Sequence, residues 1–225
     1  MVGIEEVAAL AGVSTATVSR ALRGKSHVSK KALDKVTAAA TELGYVASSS
    51  AATLASGRTQ NIGVVMPYID RWFFSVILEG IETTLIEHGY DCTLYNLSGG
   101  PEQRKRIFNE LLLRKRVDGV LSVAVRPNEE ELENLNRMKK PIVGIGGPIP
   151  GARSIAMDDR AAARLAVEHL LSLGHTKIGI ISGLPGADRE FDQPQLRVLG
   201  YQDALTAARI KPQASWQAGA DFTIQ

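Results

Sequence analysis

The sequence predicts two fold classes in series: an all-α headpiece with a helix-turn-helix, then a doubly wound parallel α/β sheet. Three observations predict this. The first sixty residues hold helical periodicity without a strand pattern, short apolar strands alternate with crossover-length helices from Asn61 onward, and glycines punctuate the helix ends. At 225 residues the chain can bury a real core, in one large domain or two ordinary ones.

Ile4, Val7, Ala8 and Ala11 recur at helical spacing before Gly12, and Leu33, Val36, Ala40 and Leu43 do so before Gly44. Between them lies "GVSTATVSRALRG", residues 12–24, rich in Ser, Thr and Val, which are mediocre helix formers. On a helix from Thr15, Val18 and Leu22 fall on one side; Ala16, Arg20 and Arg23 share another, extended by Thr15 and Ser19. The first side can pack on the flanking helices, and the second offers hydroxyls, a methyl and guanidiniums. Ser14 suits the N-cap, and no carboxylate in the first turn repels an anion approaching the positive helix end. Helix, tight turn and second helix with a small polar face form the helix-turn-helix pattern, whose second helix enters the DNA major groove. A three-helix bundle with a merely solvated polar face is the alternative that spacing and charge leave open. Residues 47–59, "ASSSAATLASGRT", are too small and polar to hold themselves folded, and predict a linker or a conditionally ordered helix.

In the second part the predicted strands are "NIGVVMP", "YDCTLYNL", "DGVLSVAV", "PIVGIG", the short "SIAM" and "KIGIISG". The helices between and after them are "FFSVILEGIETTLIEHG", "PEQRKRIFNELLLRKR", "NEEELENLNRMK", "DRAAARLAVEHLLSLG" and "QPQLRVLGYQDALTAAR". That alternation implies a parallel sheet covered on both faces by right-handed crossovers, with ligands at the carboxyl ends of its strands. The closing "WQAGADFTIQ" reads as the start of another turn-to-helix step.

A formal net charge of +2 says little until its distribution is considered. Residues 1–60 carry seven Lys and Arg against four acids, and between Thr15 and Lys35 six cations face Asp34 alone. The single cysteine, Cys92, excludes an intramolecular disulfide and Cys-based zinc clusters, and its apolar strand predicts an inert packed thiol. The N-terminus lacks the basic start and apolar core of a secretion signal and no stretch is long enough to span a membrane, so cytoplasmic residence is expected. "GIGGP", residues 144–148, fits neither G-x-G-x-x-G nor P-loop spacing and reads as a plain turn. Asp158 and Asp159 open a helix, where carboxylates cap and favour the dipole, and no nucleophile or metal set accompanies them. No catalytic constellation and no cofactor site is expected.

The segments "IEEVAALAGVSTATVSRALRG", "HVSKKALDKVTAAATELGY" and "LASGRTQNIGVVMP" resemble the start of a LacI/GalR-type transcriptional repressor. "RVDGVLS", "DDRAAARLAVEHLLSLGHTKIGIISG" and "LRVLGYQDAL" match the same family in order and spacing. The resemblance implies a headpiece over 1–46, a hinge helix over 47–60, and a periplasmic-binding-protein-like effector domain. Its N-terminal subdomain would span 61–158, and an incomplete C-terminal subdomain 159–225. It also implies a repressor controlled by a small-molecule effector; a solute-binding protein of the related periplasmic fold is the alternative, opposed by the basic headpiece and the missing secretion signal.

Carried over residue by residue, Thr15 and Ala16 occupy positions that read base edges. Thr offers a single hydrogen bond or a methyl contact and Ala only an apolar one, so sequence reading leans on Arg20 and on DNA shape. Ser14, Thr17, Ser19, Arg23, His27, Ser29 and Tyr45 match positions that hold phosphates or position the helix. His27, a lone imidazole beside a basic surface, is expected to touch phosphate or cap rather than bind metal. Leu54 matches the leucine that two hinge helices of a dimer wedge into the minor groove, and Ala51 its small packing neighbour. Where the family often has Pro-Asn, this chain has Ala47 and Ser48, so a larger ordering cost is expected on binding.

Around the effector cleft, Phe73 and Phe74 match aromatic positions bordering the ligand, Arg197 the arginine that grips ligand oxygens, and Phe222 a ring that stacks on the effector. Gly146 stands where some sugar-responsive members place an Asp, so the ligand class stays open with a sugar first. The implied partners are a near-palindromic operator duplex, the effector and a second copy of the chain. Family members continue through further strand-helix units, so a product ending at residue 225 is expected to leave an unfinished second sheet with an exposed apolar edge and to dimerise weakly. Leu54→Ala is expected to weaken binding to a selected operator more than to random duplex; equal losses in a titration would refute the wedge.

Overall fold

The computed structural model describes residues 2–22, 28–45, 57–183 and 193–220, and the chain divides into two compact units, 1–59 and 60–225. The first unit contains α1 (Ile4–Ala11), α2 (Thr15–Leu22) and α3 (Lys30–Glu42). Helix α1 stops where Gly12 turns left-handed with φ 65°. Ser14 Oγ accepts from the Thr17 N–H at 3.2 Å and Ser29 Oγ from the Ala32 N–H at 3.3 Å, so two side chains satisfy the open ends of α2 and α3.

The three helices share a core of Val7, Ala8, Ala11, Val18, Ala21, Val36, Ala39 and Ala40. Two leucines expected inside are not there: Leu22 is 36 % and Leu33 40 % exposed. On α2 the inward stripe runs from Val18 to Ala21 instead, because helices touching through alanine lie close enough to admit a methyl but not an isobutyl group.

The second unit opens with a five-stranded, all-parallel sheet in the order β2-β1-β3-β4-β5: β1 (Asn61–Met66), β2 (Asp91–Asn96), β3 (Gly119–Val123), β4 (Ile142–Ile145) and β5 (Arg153–Ile155). Helix α4 (Trp72–Glu87) connects β1 to β2. Helix α5 (Pro101–Arg106), extended by a π turn (Ile107–Leu111) and a 3-10 turn (Leu112–Arg114), leads to β3, and α6 (Glu129–Arg137) leads to β4. Strand β1, second in the order, pairs on both sides, with Val64 opposite Leu94 and Leu121. Its residues alternate between two cores: Val64 and Met66 meet Phe74 and Val123, while Val65 meets Phe108, Leu112, Val120 and Leu135.

Cys92, on the edge strand, is partly buried; burial first and Glu82 second push its thiol pKa up, which disfavours the reactive thiolate. At the start of α6, the Glu131 carboxylate receives Arg104 Nε at 2.6 Å and Nη2 at 2.8 Å, and it also accepts the Asn128 N–H at 2.9 Å. One buried, fully satisfied group thereby fixes both helices beside the end of β3.

Beyond β5 come α7 (Asp159–Ser172), β6 (Ile180–Gly183), α8 (Gln193–Ala207) and β7 (Gln217–Ala220), with β6 and β7 forming a separate parallel pair. The last of these corrects the sequence reading, which expected a turn into a helix. Gln, Ala and Gly carry little strand preference, and the strand forms because its backbone matches β6 over four register pairs. Val167, Ile178, Tyr201, Ala204 and Leu205 make the core here, and Tyr201 Oη donates to the Ile178 carbonyl at 2.8 Å. A Cβ at Gly200 would run into the Arg160 carbonyl, so α7 and α8 cross at that glycine. Arg160 clasps Asp203 beside the crossing at 2.6 and 3.0 Å and holds the Asp203 carboxyl below its ordinary pKa. Leu165 is 69 % and Ile181 74 % exposed.

Helices α4 and α7 are followed by left-handed glycines, Gly89 (φ 72°) and Gly174 (φ 88°). The α5 extension, α6 and α8 are instead followed by Lys115 (φ 54°), Lys139 (φ 51°) and Arg209 (φ 60°), a conformation costing a side-chain-bearing residue roughly 1 kcal/mol. Among the described residues no helix is long and apolar enough to cross a membrane.

Two stability changes follow. Gly200→Ala is expected to destabilise the α7–α8 crossing by about 1–3 kcal/mol, read as a lower thermal midpoint for the sheet unit. Ser14→Ala is expected to cost the headpiece about 1 kcal/mol, read by amide exchange in α2.

Candidate nucleic-acid interface and effector cleft

Helix α2 turns Val18 and Ala21 inward and leaves Ser14, Thr15, Ala16 and Arg20 exposed, with Thr17 and Ser19 half-buried. Ser14 Oγ and Thr17 Oγ1 lie 2.9 Å apart, which joins the capping hydroxyl to its neighbour and fixes both at the N-terminal end. Arg20 Nε donates to the Ala16 carbonyl at 3.1 Å; this lays the stem along the helix and leaves the Nη groups unbonded among the described residues. Ser29 spends its oxygen on the α3 cap, and Tyr45 packs against the headpiece core with its N–H on the Ala40 carbonyl at 2.8 Å. Arg23, His27, Ala51 and Leu54 lie outside the described residues.

At the carboxyl end of β1 the two phenylalanines part company. Phe74 is 6 % exposed within the core, whereas Phe73 is 44 % exposed and stands edge-on to both Trp72 (6.1 Å) and Phe74 (5.3 Å). The Arg71 guanidinium covers the Tyr68 ring at 3.6 Å. On α8, Arg197 Nε donates to Asp159 Oδ1 at 2.7 Å, joining a half-exposed guanidinium to a carboxylate that is 8 % exposed. The neighbouring Asp158 caps α7 through the Ala161 N–H at 2.9 Å. Sequence reading placed both aspartates at the helix start, and both stand there, Asp158 as the side-chain cap and Asp159 in the first turn. Asp159 orients Arg197, 38 residues away, and no local pattern signals that pairing.

Gln193 was also missed. Its Nε2 donates to the carbonyl of Gly146, the left-handed glycine after β4, and so ties the carboxyl end of the first sheet to the start of α8. The loop in "GIGGP" therefore presents a carbonyl to a side chain rather than amides to a phosphate. Phe222 lies outside the described residues. Among the described residues no three His, Cys, Asp or Glu side chains are grouped to hold a metal ion.

Comparison with known proteins adds the family. The family model described as "Bacterial regulatory proteins, lacI family" matches residues 3–48, and that described as "Periplasmic binding proteins and sugar binding domain of LacI family" matches residues 59–218. The HTH-type transcriptional repressor PurR of Vibrio atlanticus is 34 % identical over 93 % of this chain and 62 % of its own. The ribose operon repressor of Escherichia coli is 32 % identical over 99 % of this chain and 67 % of its own. The lac repressor dimer bound to operator and the anti-inducer ONPF superposes with a TM-score of 0.81 at 29 % identity, covering 99 % of this chain and 66 % of that one. The chain thus spans about two thirds of the length of these relatives. The chain belongs to the LacI family of bacterial regulatory proteins.

Proposed function

We propose that this chain acts as a transcriptional repressor that binds an operator duplex through its headpiece and answers to a small molecule held by its sheet unit. The observation that carries the reading is the outward face of α2: short hydroxylated side chains, one methyl and an arginine, with no acid in the first turn. Small residues let a helix sit close to the sugar-phosphate walls of the major groove. Thr15 and Ala16 reach base edges weakly, and Arg20, the longest donor on that face, carries most of the direct reading. Ser14, Thr17, Ser19, Arg23, His27, Ser29 and Tyr45 hold phosphates or set the helix, and Leu54 with Ala51 forms the hinge contact in the minor groove. Two copies of the chain bind a near-palindromic site. A DNA partner puts this work in the cytoplasm.

The effector is taken between the subdomains 61–158 and 159–225, where Phe73 offers an exposed ring and Arg197 a fork of donors braced by Asp159. Phe74 contributes from behind Phe73, and Phe222 completes the stacking surface. Donors of this type suit hydroxyls or carboxylates, so a sugar or sugar derivative is the ligand class. The names of the ribose operon repressor and of a lac repressor structure holding an anti-inducer support a small-molecule effector.

The test is a salt titration on duplexes selected from a palindromic library. Affinity is expected to fall steeply with salt, and Arg20→Ala to cost about 1–3 kcal/mol on the selected site with relaxed base preference. A flat salt dependence, or no enriched site, would remove the repressor reading.

A further inference from the structure

Parallel pairing sorts the connections of the first sheet onto two edges, and the edges differ in charge. Connections at the strands' carboxyl ends, within 67–71, 97–100, 124–128 and 156–158, carry Asp70 and Asp158 against Arg71 and Arg126. Those leading into the amino ends of β3 and β4 carry Arg114, Lys115, Arg116, Lys139 and Lys140 against Asp118, and the one further acid at this edge among the described strand starts is Asp91, which opens β2. The Asp118 carboxylate is already engaged: Lys140 Nζ lies 3.5 Å from its Oδ1, and the Gln60 N–H donates to Oδ2 at 2.9 Å. Arg114, Lys115, Arg116 and Lys139 are all exposed, and none has a carboxylate partner among the described residues.

Two further observations single out this edge. Gln60, the first residue of the second unit, is bonded here on both sides, to Asp118 and through its carbonyl to the Asp91 N–H at 2.8 Å. The chain from the headpiece therefore enters the sheet at the cationic edge. Moreover, Lys115 and Lys139 sit in the left-handed conformation where Gly89 serves without strain ahead of β2. A helix C-terminus favours a cation, but an ordinary last-turn position provides that; it gives no reason to prefer lysine to glycine at a left-handed residue.

We propose that this amino edge is a second, sequence-independent DNA surface: Arg114, Lys115, Arg116 and Lys139 neutralise phosphates of the duplex that the headpiece holds. The proposal rests on the DNA-binding reading above. Contacts too weak to hold DNA alone suffice here, because headpiece and sheet unit are one chain, and a duplex gripped by the first is at high effective concentration for the second.

The experiment compares the full chain with K115G/K139G, and with R114Q/R116Q, which leaves both left-handed helix ends intact. Each is titrated against the selected operator across a salt series, with thermal unfolding alongside. For K115G/K139G the expected result is an unchanged or higher midpoint, a loss of affinity of about 3- to 10-fold at low salt, and a log–log salt slope shallower by roughly 1–2 with base preference intact. R114Q/R116Q is expected to flatten the slope likewise. Unchanged slopes in both variants, with a raised midpoint for the glycine pair, would make these cations helix ends only and overturn the proposal while leaving the repressor reading in place. An unsubstituted chain without salt-dependent DNA binding would overturn both.

Discussion

Parallel hydrogen bonding is the constraint from which the arrangement of this molecule's second unit follows. A parallel partner cannot be reached by a hairpin, so each strand end must be carried back across the sheet before the next strand begins. Strand starts therefore collect at one edge and strand ends at the other. β1 enforces the pattern by pairing on both sides, and Val64, Val65 and Met66, each at most 1 % exposed, hold helices against both of its faces. The edge where strands end gathers Phe73 and the Gly146 carbonyl; the edge where they start gathers the incoming chain and a group of exposed cations.

Around Arg197, backbone geometry precedes side-chain chemistry. The missing Cβ of Gly200 permits α7 and α8 to touch, and this close crossing brings Asp159 alongside Arg197. A guanidinium oriented by a buried carboxylate loses less freedom when it meets a further oxygen than one on an unbraced stem. Gln193 adds a tie from the same helix to the first sheet, so the start of α8 is held from two directions.

What could be read from the sequence was what local chemistry decides. Gly12 marked the end of α1, the run from Asn61 announced β1, and the hydroxyl of Ser14 capped the helix that follows it; Ser29 caps α3 in the same way, a role its sequence position did not single out. Features that depend on distant partners were not legible. Periodicity placed Leu22 and Leu33 on plausible inner faces, but the closeness of the neighbouring helices selected Ala21 and Ala39 instead. β7 has no strand composition of its own and exists through its ladder with β6. The Asp159–Arg197 and Gln193–Gly146 links join residues separated by 38 and 47 positions, so neither leaves a trace in local spacing.

The headpiece core consists of five alanines and three valines. Side chains that small bury little apolar area each, so the headpiece leans for its stability on the partly buried Ile4, Val13, Val28, Leu43 and Tyr45 packed against them. An opened headpiece cannot hold DNA, and the folded fraction multiplies the intrinsic affinity for any duplex. The binding-competent fraction of the headpiece is thus set by packing within three short helices, a condition on any DNA contact that no ligand of the sheet unit supplies.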